Sequence, residues 1–394
     1  MNQRETSFRL TLLLGALIGL PALGTDLFLP SVPALARALE AEVAVAQLTL
    51  TAYFVGLATG QLLWGPFSDR FGRKPVLLCG LALMLVSSAA AAFTTSIEAV
   101  IAARLAQGFA TSSGPVIARS MVRDLYAHEQ AARLLARVTI IFSVIPIAAP
   151  LAGALIVGVA GWQAIFWCLA AAAALLLAEV AARLVETVPA ERRSVHPLAI
   201  ARTFASILRE RRFVAPFLLI LCSHLGILAW VANSAFTLVS GLGVGVGAYG
   251  LMFAAVMLGQ ITGAWFSHRL VPRLGIARLL RAGAALMLAG GLSAALLAWS
   301  GVAHWAAVVV PFFTFLFGTA LIVPNATALA LAPFPGAAGS ASSLIGAIGF
   351  TAGAIVSVLL GAAFDGSARP MATVAAIAGI AAFSFEKLVL RGRA

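Results

Sequence analysis

The chain has 394 residues, 62% of them hydrophobic and only 10% charged, and its mean hydropathy is +1.03. Soluble proteins carry about 25% charged residues, so water is excluded as the main solvent and the composition is that of a membrane-embedded chain. The formal net charge is +12; arginine-rich loops on the inner side of a membrane explain that excess, and no nucleic-acid partner is needed.

A membrane helix takes ~20 apolar residues. Apolar windows predict twelve of them, near residues 8–30, 44–67, 75–95, 97–122, 133–158, 162–184, 213–238, 247–269, 277–299, 304–325, 338–363 and 371–390. The first window contains Asp26 and ends at Leu-Pro-Ser-Val-Pro without a small-residue cleavage site, so it reads as a helix and not as a removed leader. With the N-terminus inside, the inner segments hold Arg4, Arg9, Arg70, Arg73, Lys74, Arg123, Arg133, Arg137, the cluster from Arg183 to Arg212, Arg269, Arg273, Arg278, Arg281, Lys387, Arg391 and Arg393; the outer side holds Arg37 and Arg369. Both termini are therefore expected to be cytoplasmic.

Three regions are predicted: a six-helix bundle over 1–184, a linker with a basic amphipathic helix on the inner membrane face over 185–212, and a second six-helix bundle over 213–394. The two bundles read as a repeat. Gly-Gln-Leu-Leu-Trp-Gly-Pro-Phe-Ser-Asp-Arg at 60–70 and Gly-Gln-Ile-Thr-Gly-Ala-Trp-Phe-Ser-His-Arg at 259–269 share Gly, Gln, Phe, Ser and Arg at an offset of 199. A parallel repeat of this kind suits a two-bundle transporter. The fold class is thus all-α: an integral membrane protein of twelve helices in two six-helix bundles.

Residues able to do chemistry inside the membrane are few. Arg104 lies within the fourth window, where an arginine costs ~2.5–3.5 kcal/mol on insertion scales and needs a partner or a wet cavity. Asp26, near the outer end of the first window at a similar depth, is the expected partner and the expected coupling carboxylate. Tyr53 lies at the same depth in the second window. Trp230, Asn233 and Phe236 recur at spacing three on one face of the seventh. With Asp26, Tyr53 and Gln107, these three and Gln260, Asn325 and Phe350 are the candidate substrate-binding residues. His224 is expected to be a packed neutral histidine. The cysteines Cys79, Cys168 and Cys222 and the five histidines show no metal-ligand, disulfide or zinc-protease spacing. No nucleophile elbow, P-loop or channel-filter sequence occurs, so neither an enzyme, an ATP-driven pump nor a channel is expected.

Gly65-Pro-Phe-Ser-Asp-Arg-Phe-Gly-Arg-Lys-Pro-Val-Leu77, between the second and third windows, resembles the signature loop of the major facilitator superfamily, G-x-x-x-D-R-x-G-R-[KR], at every position. Gly65 is expected to allow close helix approach and Gly72 a tight turn, Asp69 to accept from a neighbouring helix N-terminus, and Arg70, Arg73 and Lys74 to face the cytoplasm and the anionic lipid surface. The resemblance implies that this loop is a latch between the bundles. His268 replaces the aspartate in the second copy, which also lacks the GRK part. Arg104-Leu-Ala-Gln-Gly108 resembles the family's R-x-x-Q-G motif, which implies a part for Arg104 in proton coupling. Ile145 to Ala154 resembles the antiporter motif imperfectly: Pro150 and Gly153 match, alanines stand for two glycines, and Pro146 adds a second bend.

Thr25-Asp-Leu-Phe-Leu-Pro-Ser-Val-Pro-Ala-Leu-Ala36, Val122-Arg-Asp-Leu-Tyr-Ala127, the stretch from Pro146 to Ile156 and Gly161-Trp-Gln-Ala-Ile-Phe-Trp167 are similar to the bicyclomycin/chloramphenicol-resistance (Bcr/CflA) drug:proton antiporters. That resemblance implies proton-coupled efflux of small amphipathic compounds by alternating access. It also implies a bacterial inner-membrane location, no cofactor beyond the proton gradient, and small molecules, protons and lipid as partners of a monomer. A proton-coupled transporter of a small metabolite, exporter or symporter, is the alternative.

Overall fold

The computed structural model describes residues 3–126, 128–187, 197–334 and 337–391. The described residues are helical with short connections: α1 (Gln3–Asp26), α2 (Val32–Ala38), α3 (Val43–Phe71), α4 (Arg73–Phe93), α5 (Ile97–Thr111), α6 (Ser113–Leu125), α7 (His128–Ala160), α8 (Gln163–Arg183), α9 (Pro197–Arg209), α10 (Arg211–Ala235), α11 (Val246–Trp299), α12 (Ala306–Leu331), α13 (Ala338–Ala362) and α14 (Arg369–Arg391). Among them, nine segments are long and apolar enough to cross a membrane. One is α11, which Gly275 (φ 73°, ψ 162°) divides into two crossings. The pair α5–α6 and the helix α7, apolar from Val144 to Ala160, supply the others, so the chain is a twelve-crossing membrane protein.

The first crossing departs from expectation. It runs from Phe8 to Ala38, but α1 stops at Asp26 and a 3-10 turn, Leu29–Ser31, intervenes before α2. Pro30 and Pro33 sit in the first positions of that turn and of α2, where a missing N–H costs nothing. Asp26 is therefore the last residue of α1, at the break between α1 and the 3-10 turn. Downstream, α9 falls in the basic stretch where an amphipathic helix was expected; the expected linker residues 188–196 lie outside the described residues.

Contacts divide the chain into two compact units, Met1–Ala41 with Thr49–Pro197, and Glu42–Leu48 with Leu198–Ala394. In the first, α1 packs on α7 and α6, and α4 on α8 and α5; in the second, α11 packs on α12 and α14, and α10 on α12, α13 and α14. Small residues set the distances, as expected where lipid removes the hydrophobic drive between helices. A Cβ on Gly60 would stand 2.9 Å from the Phe109 carbonyl oxygen, and one on its repeat mate Gly259 would stand 2.6 Å from that of Phe313. The expected close approach at Gly65 is not there: its nearest neighbour, Val116 Cγ1, would lie 3.9 Å from a Cβ, an ordinary contact.

Candidate functional site

The site in the first unit follows from the break after Asp26. A helix leaves its last carbonyls without intrahelical partners. Here the Leu27 N–H bonds back to Leu23 and the Phe28 N–H turns to Thr25, so the Gly24 carbonyl is left over. Arg104 Nη1 donates to it at 3.0 Å. A cation is also the favoured charge at a helix C-terminus.

The rest of Arg104 is enclosed. Its guanidinium lies 4.3 Å from the Phe28 ring centre and 4.0 Å from that of Tyr53. Desolvated cation–π contacts of this kind contribute about 2 kcal/mol. Nη1 also donates to Gln107 Oε1, and Gln107 Nε2 donates to Ser88 Oγ at 2.7 Å. Tyr53 is anchored through its hydroxyl, 3.0 Å from the Pro21 carbonyl and 3.0 Å from Thr111 Oγ1. The expected residues Tyr53, Arg104 and Gln107 are thus brought together by α1, α3, α4 and α5. Arg104 is fully buried, and its Nε and Nη2 have no hydrogen-bond partner among the described residues.

The expected ion pair between Asp26 and Arg104 is not formed. Arg104 instead donates to the Gly24 carbonyl and packs on the Phe28 ring, both close to Asp26 in sequence, and on the Tyr53 ring of α3. The Asp26 carboxylate, 7% exposed, makes no hydrogen bond or ion pair among the described residues. Leu23 and Leu27, on either side of Asp26 in sequence, line an open apolar pocket of about 520 Å³ whose other wall is Val144, Ile145, Ala148, Ala149 and Ala152 of α7. The antiporter-like motif shapes this wall. Pro146 and Pro150 lie inside α7, and Gly153 packs directly on the Leu27 carbonyl, with Pro30 Cγ 3.2 Å from where a Cβ would stand.

The candidates of the second unit are not gathered in one place. Trp230 is buried among Phe312 and Phe253, at ring distances of 5.1 and 5.8 Å, with its Nε1 unpartnered among the described residues. Asn233 accepts from Gln47 Nε2 at 2.9 Å, and Phe236 packs on Phe364. Asn325 donates to Ser267 Oγ at 2.9 Å, in the second copy of the repeated segment. Gln260 and Phe350 are half-buried. His224 is held by its Nδ1, 2.9 Å from the Ile220 carbonyl.

The signature loop is tied down more tightly than expected. Gly72, at φ 97° and ψ 151°, turns the chain from α3 into α4. Arg73 does not face lipid: it is buried, pairs with Asp69, donates from Nη1 to Ser68 Oγ at 2.6 Å and reaches Asp124 Oδ2 from Nε at 3.1 Å. Arg70 stays exposed over the Phe71 ring. The anion at the α4 N-terminus is Glu186.

A polytopic helical bundle with few intramembrane charges and a braced signature loop defines a membrane transporter. The chain belongs to the Major Facilitator Superfamily, whose profile matches residues 14–358. It is 32% identical to a bicyclomycin resistance protein homolog of Haemophilus influenzae over 94% of this chain and 93% of that protein. It is 30% identical to a chloramphenicol resistance protein of Pseudomonas aeruginosa over 89% and 84%. Its fold matches the crystal structure of a D-xylose-proton symporter with a TM-score of 0.74 at 16% identity, covering 95% of this chain and 97% of that one.

Proposed function

We propose that the chain is a drug:proton antiporter of the bacterial inner membrane, with both termini cytoplasmic. It would export small amphipathic compounds such as chloramphenicol-like antibiotics by alternating access. Asp26 is the residue that takes up and releases the proton, and Arg104 holds the α1 break that carries it. The observation behind this reading is a buried carboxylate at the end of α1 with no hydrogen bond or ion pair among the described residues, flanked in sequence by Leu23 and Leu27 of an open apolar pocket of about 520 Å³. Intramembrane carboxylates are costly and mark ion pathways. The cavity volume falls within the usual range for small-molecule sites, and its apolar walls suit neutral or weakly charged cargo. The printed names of the relatives, bicyclomycin and chloramphenicol resistance, support export of such compounds. No cofactor is required; the membrane potential adds ~2.3 kcal/mol per charge per 100 mV to the proton gradient.

The test is uptake into inverted vesicles under an imposed pH gradient, with labelled chloramphenicol and a panel of sugars and organic acids. Gradient-dependent chloramphenicol uptake that an uncoupler collapses supports the proposal. Uptake of a metabolite alone would replace it with the metabolite transporter.

A further inference from the structure

The loop after the second crossing is held by a residue outside its own motif. Gly72 occupies the N-cap position of α4 and offers no side chain to the orphan N–H groups of the first turn. Glu186, just beyond the end of α8, fills that role from a distance. Its Oε1 accepts from the Arg73 N–H at 2.9 Å and its Oε2 from the Lys74 N–H at 3.1 Å. The reverse contact also exists: Lys74 Nζ donates to the Ala181 carbonyl at 2.8 Å, in the last turn of α8. Each helix end therefore caps the other. Thr187 Oγ1 closes the ring on Asp124 Oδ2 at 3.0 Å, the carboxylate that receives Arg73.

The second unit carries the counterpart. Val180-Ala-Ala-Arg-Leu-Val-Glu186 and Ile380-Ala-Ala-Phe-Ser-Phe-Glu386 align at an offset of 200, next to the 199 that relates Ser68 to Ser267. Glu386 is 5% exposed and accepts from Arg281 Nε at 3.2 Å. Arg281 lies shortly after Gly275, whose φ of 73° makes the break that Gly72 makes in the first unit. Asn325 and Ser267 are bonded directly and lie 201 and 199 residues after Asp124 and Ser68.

We propose that Glu186 and Glu386 are repeat-related braces, one per bundle, that fix the helix after each hinge loop to the last helix of the same bundle. Glu186 is a positioning residue for the signature loop. Through it, turnover depends on a residue that touches no cargo. The brace itself rests on geometry; only its effect on turnover rests on the transport reading. Glu186 itself grips backbone amides, with the Lys74 and Arg73 side chains adding contacts around it, whereas Glu386 holds the Arg281 side chain.

The test compares the native chain with Glu186→Ala, Glu186→Gln, Glu186→Asp and Glu386→Gln in detergent and in vesicles. Hydrogen exchange of the Arg73 and Lys74 amides is expected to rise about tenfold or more in Glu186→Ala and less in Glu186→Asp, with no rise in Glu386→Gln. Transport Vmax is expected to fall several-fold in Glu186→Ala while KM and drug Kd stay within about twofold, with partial rescue in Glu186→Asp. Glu186→Gln, which keeps one acceptor, serves where the alanine variant does not fold. Unchanged exchange at those amides overturns the brace even if the native chain transports no drug. Raised exchange with unchanged Vmax in a transporting protein overturns its role in turnover.

Discussion

The guanidinium of Arg104 lies over the Tyr53 ring, 4.0 Å from its centre, and over the Phe28 ring at 4.3 Å. Two aromatic faces and the Gly24 carbonyl thus do for an intramembrane arginine what a carboxylate was expected to do. The charge is accommodated without consuming Asp26.

Arg104→Lys is expected to be severely impaired although the charge is kept. A lysine is a compact point charge on a flexible stem and cannot lie flat between two rings while donating to Gly24 and Gln107. Losing one cation–π contact of about 2 kcal/mol corresponds to more than tenfold in rate. Uphill drug transport in vesicles measures it, with gel filtration to show that the fold persists; native-like transport would remove Arg104 from the coupling machinery.

Tyr53→Phe and Tyr53→Ala are expected to separate. The phenylalanine keeps the face over Arg104 and loses hydroxyl bonds to Pro21 and Thr111, at about 0.5–1.5 kcal/mol each. Transport should survive with a lowered melting temperature. The alanine removes the face as well, and transport should be lost. Equal transport by both variants would show that the ring does not hold Arg104.

Two glycines of the first unit should behave in opposite ways. Gly108 packs directly on the Tyr53 carbonyl, so Gly108→Val should cost about 1–3 kcal/mol by overpacking and move the arginine cage. Gly65→Ala has Val116 at an ordinary 3.9 Å and should be tolerated. Thermal melts in detergent decide; a stable Gly108→Val would mean that α3 and α5 do not pack as described.

Gly72→Ala should destabilise the chain by about 1–3 kcal/mol, because φ 97° with ψ 151° is a region that only glycine adopts readily. The same substitution at Gly275, φ 73° and ψ 162°, should cost a similar amount. Melting temperatures of the two variants check this.

Much of the fold was legible because the signal is one-dimensional. Runs of apolar residues between arginine clusters give twelve crossings whatever the packing, and the predicted windows fall on the observed helices. Helix breaks were less legible: the interruption after Asp26 depends on Pro30 and Pro33 restarting the chain, and the apolar run continues through it. The site was half legible. Arg104, Tyr53 and Gln107 stand out as polar residues in apolar sequence, but the cation–π cage was hidden because Phe28 looks like any lipid-facing aromatic. Asn325 was read as a cavity residue from its polarity, and only tertiary structure places it on Ser267. Glu186 was hidden among the charges of a polar linker; the signal that could have found it is Glu386, one repeat away.

The central claim is that Asp26 carries the exchanged proton, and Asp26→Asn tests it most directly. In inverted vesicles with labelled chloramphenicol, the native chain should accumulate drug against its gradient when a pH gradient is imposed. Asp26→Asn should lose that accumulation while still catalysing drug exchange at equal concentrations. Undiminished uphill accumulation by Asp26→Asn would contradict the account and move the coupling site elsewhere.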